Sequence, residues 1–341
     1  MTFISIIRIL LFPISFGYGI LMSVRNLFFD WGIFKVTSFD LPIVCVGNLS
    51  VGGTGKTPQI EYLIRLLQDQ YPLAVLSRGY KRKTKGFVLA NENTSVEILG
   101  DESYQYHKKY PKVRVAVHEH RVEGVKEIIK EVPNTNLILL DDAYQHRKIK
   151  AGYQILLTTH SDLFYKDFML PTGNLRELWW GKKRANVIVV TKCPKDLSQE
   201  AQQQIIRSIH PSKNQQVYFS TIGYSTVLKG KQEVQLQALK PEKIVLVTGI
   251  AKPEPLLNFL TSHGMEYEHL KFPDHHAFTN EELKMIQHKS LGAKIVTTEK
   301  DYVRLEAHIE NMFYLPISML FLNQNKEFDD GILSFVKAQK I

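Results

Sequence analysis

The segment Gly47–Pro58 reads GNLSVGGTGKTP and has the residue types of a phosphate-binding loop. Its glycines would let backbone N–H groups close around phosphate oxygens, and the Lys56 ammonium could reach the β- and γ-phosphates of a nucleotide. The Thr57 hydroxyl could ligate Mg²⁺, and Pro58 suits a first helical turn, where no N–H is needed. We therefore predict a binding site for the phosphates of ATP. Its residues are Gly52, Gly53, Thr54, Gly55, Lys56 and Thr57.

One residue of the loop departs from the generic pattern, because Ser50 occupies the position of the first glycine. The context supports a nucleotide site all the same. The short apolar run Ile43–Gly47 predicts a strand before the loop, and Thr57–Gln70 predicts a helix after it. The apolar stripe of this helix consists of Ile60, Leu63, Ile64 and Leu67. The alternative to a nucleotide site is a glycine-rich turn with an exposed lysine.

An apolar strand that ends in two carboxylates provides the expected metal side of the site. Leu137–Leu140 is followed by Asp141 and Asp142. In phosphate-loop proteins a neighbouring strand delivers an aspartate to the metal at the carboxyl end of the sheet. Successive side chains of a strand point to opposite faces, so one of the two aspartates is expected to face Mg²⁺. Gly100-Asp101-Glu102, taken alone, is typical of a turn or helix cap.

The elements that must position these residues alternate between strands and helices. Short continuous apolar strands separated by helices favour a mostly parallel sheet covered on both faces, so we expect an α/β, P-loop NTPase-type fold. A second, smaller α/β unit is expected near the C-terminus, with Tyr314–Phe321 as one of its strands. The predicted boundaries are 1–32 for an N-terminal segment, 33–224 for the P-loop core, 225–240 for a linker or extended ribbon, and 241–341 for the smaller domain.

The composition is that of a globular protein with an affinity for anions. The chain has 341 residues, a length typical of two domains, and 44% of them are hydrophobic. Its net charge of +9 suits phosphate-bearing substrates, nucleic acid or an acidic membrane surface. No zinc-finger, RRM or basic-zipper pattern occurs, so we expect no nucleic-acid partner. Cys45 and Cys193 lie in apolar runs and are expected to be buried, reduced thiols.

The most apolar stretch covers residues 3–22 and is interrupted by Arg8 and Pro13. A spanning helix needs about 20 apolar residues, so this length is marginal. A kinked helix or helix pair lying in one leaflet suits the interruptions better. A spanning anchor and a helix buried in the soluble core are the alternatives. A cleaved signal peptide is disfavoured, because Arg25 and Asn26 follow without a small-residue cleavage site.

Several motifs occur in a fixed order along the chain. They are GNLSVGGTGKTP (47–58), SRGY (77–80), GDE (100–102), LLDDAYQH (139–146), LPTGNLRE (170–177), VTGIAKPEP (247–255), FPDHHAF (272–278) and TTEKD (297–301). In this combination the chain resembles the tetraacyldisaccharide 4'-kinase family, whose members also have an apolar N-terminus. Ser50 is in the style of that family's loop. Ala143-Tyr144 departs from the Gly-Phe that is more usual there.

The resemblance implies an activity and a place for it. The γ-phosphate of ATP would pass, with Mg²⁺, to the 4'-hydroxyl of tetraacyldisaccharide 1-phosphate, an acylated glucosamine disaccharide, to make lipid IVA for lipopolysaccharide. The enzyme would act on the cytoplasmic face of the inner membrane, attached by its N-terminal segment. We expect it to be a monomer.

The resemblance also implies roles for individual residues. Asp101 matches the family's catalytic aspartate and His275 the histidine that partners it, with Lys56 as the third catalytic residue. A carboxylate held by a histidine can accept the proton of a sugar hydroxyl. Asp101 and His275 lie in different predicted domains, so domain closure would assemble the pair. Without the resemblance, His275 and His276 would be interpreted as polar loop residues.

Metal and substrate candidates complete the predicted site. The Mg²⁺ candidates are Thr57, Glu102, Asp141 and Asp142. The substrate-binding candidates are Asn48, Arg78, Arg121 and Arg176. Further basic residues that could meet anionic lipid or the sugar-bound phosphate are Lys81, Arg82, Lys182, Lys183 and Arg184.

Three other classes of protein were weighed against a kinase. A partitioning-type ATPase carries a lysine just before the paired glycines, where this chain has Val51. A switch GTPase needs an Asn/Thr-Lys-x-Asp motif, and Thr191–Pro194 lacks its aspartate while Thr298–Asp301 has the wrong spacing. A lipid-binding scaffold would not need Lys56, Thr57 and the aspartate pair together.

Overall fold

The strands form a large sheet, a smaller sheet and a short ribbon. The computed structural model describes residues 10–339. In chain order the strands are β1 (Ile43–Asn48), β2 (Leu73–Ser77), β3 (Val88–Leu89), β4 (Arg114–Val117), β5 (Leu137–Asp141), β6 (Tyr153–Thr159), β7 (Val187–Thr191), β8 (Gln216–Tyr224), β9 (Val227–Leu228), β10 (Val234–Gln235), β11 (Ile244–Thr248), β12 (Glu268–Lys271), β13 (Lys294–Thr298), β14 (Met312–Leu315) and β15 (Ile317–Phe321).

Helices connect most of these strands. They are α1 (Phe12–Asp30), α2 (Lys56–Leu67), α3 (Val96–Leu99), α4 (Asp101–Lys109), α5 (Arg121–Glu131), α6 (Gln199–Ile209), α7 (Glu254–Ser262), α8 (Asn280–Ser290), α9 (Glu299–Leu305) and α10 (Asn325–Ala338). Short 3₁₀ turns cover Phe164–Lys166, Trp179–Arg184 and Leu236–Leu239.

The large sheet has nine strands in the order β15-β8-β7-β6-β1-β5-β2-β4-β3. Its strands run parallel except for β3 and β15, the two edge strands, which pair antiparallel with their neighbours. The smaller sheet has the order β12-β11-β13-β14 and is parallel throughout. The prediction of an α/β fold with a mostly parallel sheet is confirmed.

Consecutive residues of β1 alternate between two cores, as a strand buried on both faces requires. Val44 and Val46 pack in one core with the apolar stripe of α2. Ile43 and Cys45 pack on the other face, in a core that contains residues of α5. The two helices therefore cover opposite faces of the sheet, and the loop between β1 and α2 lies at the carboxyl end of the central strand. Both cysteines are buried free thiols, as predicted.

The predicted strand Tyr314–Phe321 is in fact two strands of different sheets. β14 ends before Pro316 and pairs with β13 in the smaller sheet, whereas β15 begins after it and pairs with β8 in the large sheet. Proline has no N–H for a strand ladder, which explains a change of sheet at this residue. Helix α10 then joins the large sheet's core through Phe328, Ile332 and Val336. The predicted smaller unit, 241–341, therefore extends too far, because the chain returns to the large sheet at β15.

Residues 225–240, predicted as a linker or ribbon, contain β9, β10 and a 3₁₀ turn. The two strands pair antiparallel. Leu228 and Leu236 are buried in the core of the smaller sheet. This segment therefore packs as part of the smaller unit.

Helix α1 lies against the large unit with one face and leaves its other face exposed. Ser15 donates a hydrogen bond to Thr172, and Asn26 donates one to Glu177 at 3.0 Å. Pro13 lies in the first turn, where a missing N–H is tolerated, so it does not kink this helix. Within residues 10–339, no helix has the length and apolar character needed to cross a membrane. The beginning of the predicted segment, residues 1–9, falls outside the described residues.

Candidate active site at the carboxyl edge of the large sheet

The phosphate loop joins the central strand β1 to the N-terminus of α2. Gly52 and Gly55 have φ values of 101° and 89°, a left-handed conformation that glycine adopts without a steric penalty. Helix α2 begins at Lys56, so its first free N–H groups border the loop. The arrangement is that of a helix N-terminus prepared for a phosphate group.

Neighbouring side chains hold the loop in place from two directions. The Asn48 side-chain amide donates to Thr54 Oγ1 at 2.9 Å. From the end of β7, Thr191 Oγ1 donates to the Thr54 carbonyl at 2.7 Å and Lys192 Nζ donates to the Gly53 carbonyl at 2.6 Å. Thr191 and Lys192 belong to the segment that fails as a guanine motif, and they support the loop instead.

Asp141 and Asp142 have different partners: Asp141 ends β5, whereas Asp142 follows the strand with a left-handed φ of 47°. Asp142 lies 2.9 Å from Arg176 and 3.8 Å from Lys56. Burial opposes its ionisation, but these two cations outweigh burial and lower the pKa of Asp142 to about 2. Asp141 is buried at the end of β5, where desolvation and then the charge of Asp142 raise its pKa to about 7. The pair therefore puts a stable negative charge next to Lys56.

Tyr106 lies between the Asp141 side chain and the threonine of the loop. The Tyr106 hydroxyl lies 3.4 Å from Asp141 Oδ2, and Thr57 is close enough to affect the pKa of Tyr106. Asp141 Oδ1 is buried and has no hydrogen-bond partner among the described residues. The charge of Glu102 acts on both Asp141 and Tyr106. Thr57, Glu102 and Asp141 are thus neighbours of one region, and a cation there would relieve the cost of burying Asp141.

Thr57, Glu102 and Asp141 fit a Mg²⁺ site only if a nucleotide supplies further ligands to the ion. Among residues 10–339 no group of three His, Cys, Asp or Glu side chains could hold a metal ion. Mg²⁺ usually takes one or two protein carboxylates and completes its shell with water and substrate phosphates. The hydroxyl of Thr57 with one or two carboxylates is a donor set of that kind.

Asp101 and His275 lie in contact, although Asp101 begins a helix beside the large sheet and His275 lies in a loop after a strand of the smaller sheet. His275 Nδ1 is 3.0 Å from Asp101 Oδ2. Arg304 also binds this carboxylate: its Nε donates to Oδ1 at 2.8 Å and its Nη2 donates to Oδ2. Burial opposes ionisation of Asp101, but the hydrogen bonds from His275 and Arg304 prevail and lower its pKa to about 2. The carboxylate is therefore charged and fixed in orientation.

Two glycines allow the loops around this pair to approach each other. A Cβ atom on Gly100 would lie 2.6 Å from the Tyr80 carbonyl oxygen, and one on Gly79 would lie 2.9 Å from the Leu99 carbonyl oxygen. Both residues also have positive φ. Tyr80 then packs edge-on against the His275 ring, with centroids 5.2 Å apart. The SRGY and GDE motifs thus form one wall of the site.

The four predicted substrate-binding residues divide into two groups. Asn48 and Arg121 are buried; Arg121 donates to the His118 carbonyl at 2.8 Å and the Asp141 carbonyl at 3.2 Å. For these two, the prediction of direct substrate contact does not agree with the structure, because their polar groups hold the site's own backbone and loop. Arg176 binds Asn48 and Asp142 while staying partly exposed. Arg78 is exposed at the end of β2.

Several of the further basic candidates also have structural roles. Lys182 is buried and donates to the Ile209 and His210 carbonyls. Arg184 pairs with Glu177 at 2.8 Å, and Arg82 pairs with Glu119 at 2.8 Å. These three therefore do not agree with the prediction of a lipid or phosphate contact. Lys81 and Lys183 are exposed.

Sequence reasoning missed Tyr106 and Arg304. Tyr106 follows Glu102 by one helical turn and so faces the same side of α4. Arg304 follows the TTEKD motif by one turn of α9. A reading of helix faces beside each motif could have found both residues.

A parallel α/β sheet with a phosphate loop after its central strand, and an aspartate at the end of the adjacent strand, defines a P-loop nucleotide-binding protein. Comparison with known proteins makes the assignment more specific. The chain belongs to the tetraacyldisaccharide-1-P 4'-kinase family, whose model matches residues 7–337.

Individual relatives match over almost their whole length. The chain is 52% identical over 336 residues to the tetraacyldisaccharide 4'-kinase of Flavobacterium johnsoniae, covering 98% of each protein. It is 48% identical over 339 residues to that of Flavobacterium psychrophilum, again covering 98% of each. Among solved structures, the crystal structure of LpxK from Aquifex aeolicus in complex with ATP matches with a TM-score of 0.79 and 30% identity, covering 97% of this chain and 99% of that one.

Proposed function

We propose that this chain transfers the γ-phosphoryl group of ATP to the 4'-hydroxyl of tetraacyldisaccharide 1-phosphate, producing lipid IVA. One observation supports this above all others. The Asp101–His275 pair and the acidic end of β5 beside the phosphate loop are joined by helix α4, which begins at Asp101 and whose Tyr106 hydroxyl lies 3.4 Å from Asp141 Oδ2. A phosphoryl donor and an acceptor hydroxyl could therefore meet between them. The family and the ATP complex of its Aquifex aeolicus member agree with this activity.

The residues divide the work between donor and acceptor. The loop amides and Lys56 hold the triphosphate and neutralise charge on the phosphoryl group in transfer. Thr57 and one or two of Glu102, Asp141 and Asp142 would hold Mg²⁺, which would supply positive charge to the phosphates during transfer. Arg176 binds both Asn48 and Asp142, so it holds the residue before the phosphate loop and the aspartate after β5 in fixed relative positions.

Asp101 acts on the acceptor. As the sugar oxygen bonds to the γ-phosphorus and the bond to the β,γ-bridging oxygen breaks, the hydroxyl proton passes to the Asp101 carboxylate. With a pKa of about 2, Asp101 is a weak base. Phosphoryl transfer depends chiefly on positioning, so orienting the hydroxyl is the larger part of its contribution.

The test is transfer of label from γ-labelled ATP in the presence of Mg²⁺ and the acylated disaccharide. We expect label in the lipid product and almost no free phosphate when the acceptor is left out. Rapid ATP hydrolysis without the acceptor, and no labelled lipid with it, would favour a partitioning ATPase or a switch and contradict the proposal.

We also propose that the enzyme sits on the cytoplasmic face of the inner membrane through α1 and the loops beside it. The outward face of α1 exposes large apolar side chains that water solvates poorly. They are Phe12, Ile14, Phe16, Ile20, Leu21, Val24 and Leu27. Phe168, Trp179 and Trp180 are also exposed, and the Phe168 ring lies 6.3 Å from that of Phe12. Such an apolar face, bordered by aromatic side chains, is typical of a helix lying in a membrane interface.

Replacing Phe16 and Leu21 together by serine should weaken binding to vesicles that contain anionic lipid. Both are about two-thirds exposed, at 64% and 65%. Each large apolar side chain withdrawn from water contributes about 1.5–3 kcal/mol. The partition coefficient should therefore fall roughly 100-fold, as about 1.4 kcal/mol corresponds to a factor of ten.

Vesicle co-sedimentation of the full chain measures this effect. The control is Leu291→Ser, which removes an apolar side chain that is 84% exposed on the smaller unit and should leave binding unchanged. Equal binding by the wild type and the Phe16/Leu21 variant would rule out this surface as the membrane contact.

A further inference from the structure

Helix α4 connects strands of the large sheet and helix α9 connects strands of the smaller sheet, and ion pairs join the two helices at both ends. At one end, Asp101 of α4 binds Arg304 of α9. At the other end, Lys109 of α4 lies 2.8 Å from Glu299 of α9 and 2.7 Å from Glu61 of α2. The two helices therefore run in opposite directions, and the ion pairs at their ends set how the smaller unit meets the large sheet.

The ion pairs at both ends are largely shielded from water. Only 9% of the Asp101 side chain and 12% of the Arg304 side chain are exposed. Glu61 and Glu299 are similarly buried, with 2% and 7% exposed. Sheltered ion pairs of this kind are screened much less than surface pairs, and removing one partner leaves an uncompensated charge. The contact between α4 and α9 is therefore specific in position, more than an apolar contact of the same size would be.

The guanidinium of Arg304 does more than pair with a charge. Its Nε and Nη2 donate to different oxygens of Asp101, so the carboxylate cannot rotate freely about its own axis. Its Nη1 donates to the His276 carbonyl at 3.0 Å, which fixes the loop that carries His275. One side chain thus holds both members of the Asp101–His275 pair.

We propose that Arg304 is a positioning residue that aligns Asp101 and His275 for the acceptor hydroxyl, with the Lys109–Glu299 contact holding α9 at the required depth. This inference rests on the proposed function. Arg304 contacts Asp101, the His275 ring at Nδ1 (3.2 Å from its Nη2) and the His276 carbonyl, and it acts on the acceptor only through these groups. Loss of its two hydrogen bonds to Asp101 therefore misaligns the pair and leaves the phosphate loop intact.

The test compares Arg304→Met and Arg304→Lys with wild type in steady-state transfer assays. Misplacing a reacting group by about 1 Å can cost ~100-fold, so Arg304→Met should lower kcat by about that factor. The KM for ATP should stay within about twofold, because binding in the ground state is not altered. Arg304→Lys restores the charge without the planar fork, so its kcat should lie between those of Arg304→Met and wild type.

The Lys109–Glu299 ion pair, at the end of the helices away from Asp101, offers a second, independent variant. Glu299→Gln removes one of the two carboxylates that face Lys109 without touching Asp101, and it should lower kcat several-fold at unchanged KM for ATP. Lys289→Met, which removes a surface pair with Glu268 on the same unit, is the control and should behave like wild type. If Arg304→Met does not fold, Arg304→Lys and Glu299→Gln decide the question.

The outcomes separate this inference from the proposed function. Suppose that wild type transfers phosphate and that the folded Arg304 variants keep wild-type kcat, or lose activity only through a raised KM for ATP. In that case the inference is wrong while the kinase activity stands. If wild type itself transfers no phosphate to the acylated disaccharide, the proposed function fails first.

Discussion

Asp101→Asn should lower kcat for phosphoryl transfer by about 10³-fold, because it disturbs the pair that orients the acceptor hydroxyl and removes its proton acceptor, and a positioned acid or base typically contributes 10²–10⁴-fold. The amide is close in shape to the carboxylate but cannot take the proton of the acceptor hydroxyl. It also loses one of the acceptor oxygens that His275 and Arg304 bind. The KM for ATP should change little, since Asp101 faces the acceptor.

A matched control separates this effect from general destabilisation. Glu97→Gln alters a carboxylate on the preceding helix α3 whose pairing with Lys83 is mostly exposed, and such pairs stabilise little. It should retain full activity. Thermal unfolding of Asp101→Asn must still show a cooperative transition. A folded Asp101→Asn enzyme with wild-type kcat would contradict the assignment of Asp101.

Lys56→Met should reduce kcat/KM by about 10³-fold or more, because cationic groups at the transferring phosphoryl contribute on that scale. The variant should fold, since Asp142 keeps its partner Arg176 at 2.9 Å when Lys56 is lost. Both binding of ATP and chemistry should suffer, so kcat should fall and the KM for ATP should rise.

Initial rates over a range of ATP concentrations measure that change. Lys83→Met, which removes an exposed lysine that pairs with Glu97, provides the control and should leave both constants unaltered. Near-normal transfer by Lys56→Met would mean that the loop does not act on the transferred phosphate.

The parts of the site that are close in sequence could be predicted from the sequence. The phosphate loop and the strand Leu137–Asp141 each carry their signal within a few residues, since backbone conformation and side-chain alternation are local. The same holds for the mostly parallel sheet, whose strands are short apolar runs. The resemblance alone paired Asp101 with His275, which are 174 residues apart.

What could not be predicted depends on long-range packing. Arg304 and Asp101 are 203 residues apart, so the position of the arginine one turn after TTEKD could suggest a role for it but could not identify Asp101 as its partner. Arg121 was expected to face a substrate, but burial turns its guanidinium toward the carbonyl of Asp141. The return of β15 to the large sheet likewise follows from its pairing with β8, which local hydrophobicity does not encode.

The most direct test of the central claim is a crystal structure of the enzyme with a non-hydrolysable ATP analogue and Mn²⁺. The proposed site predicts the triphosphate in the loop between residues 50 and 57, with the γ-phosphate beside Lys56. It also predicts an anomalous peak for Mn²⁺ at the Thr57 hydroxyl, with Glu102, Asp141 or Asp142 among its ligands. A nucleotide bound elsewhere, or a loop that stays empty at saturating analogue, would contradict it.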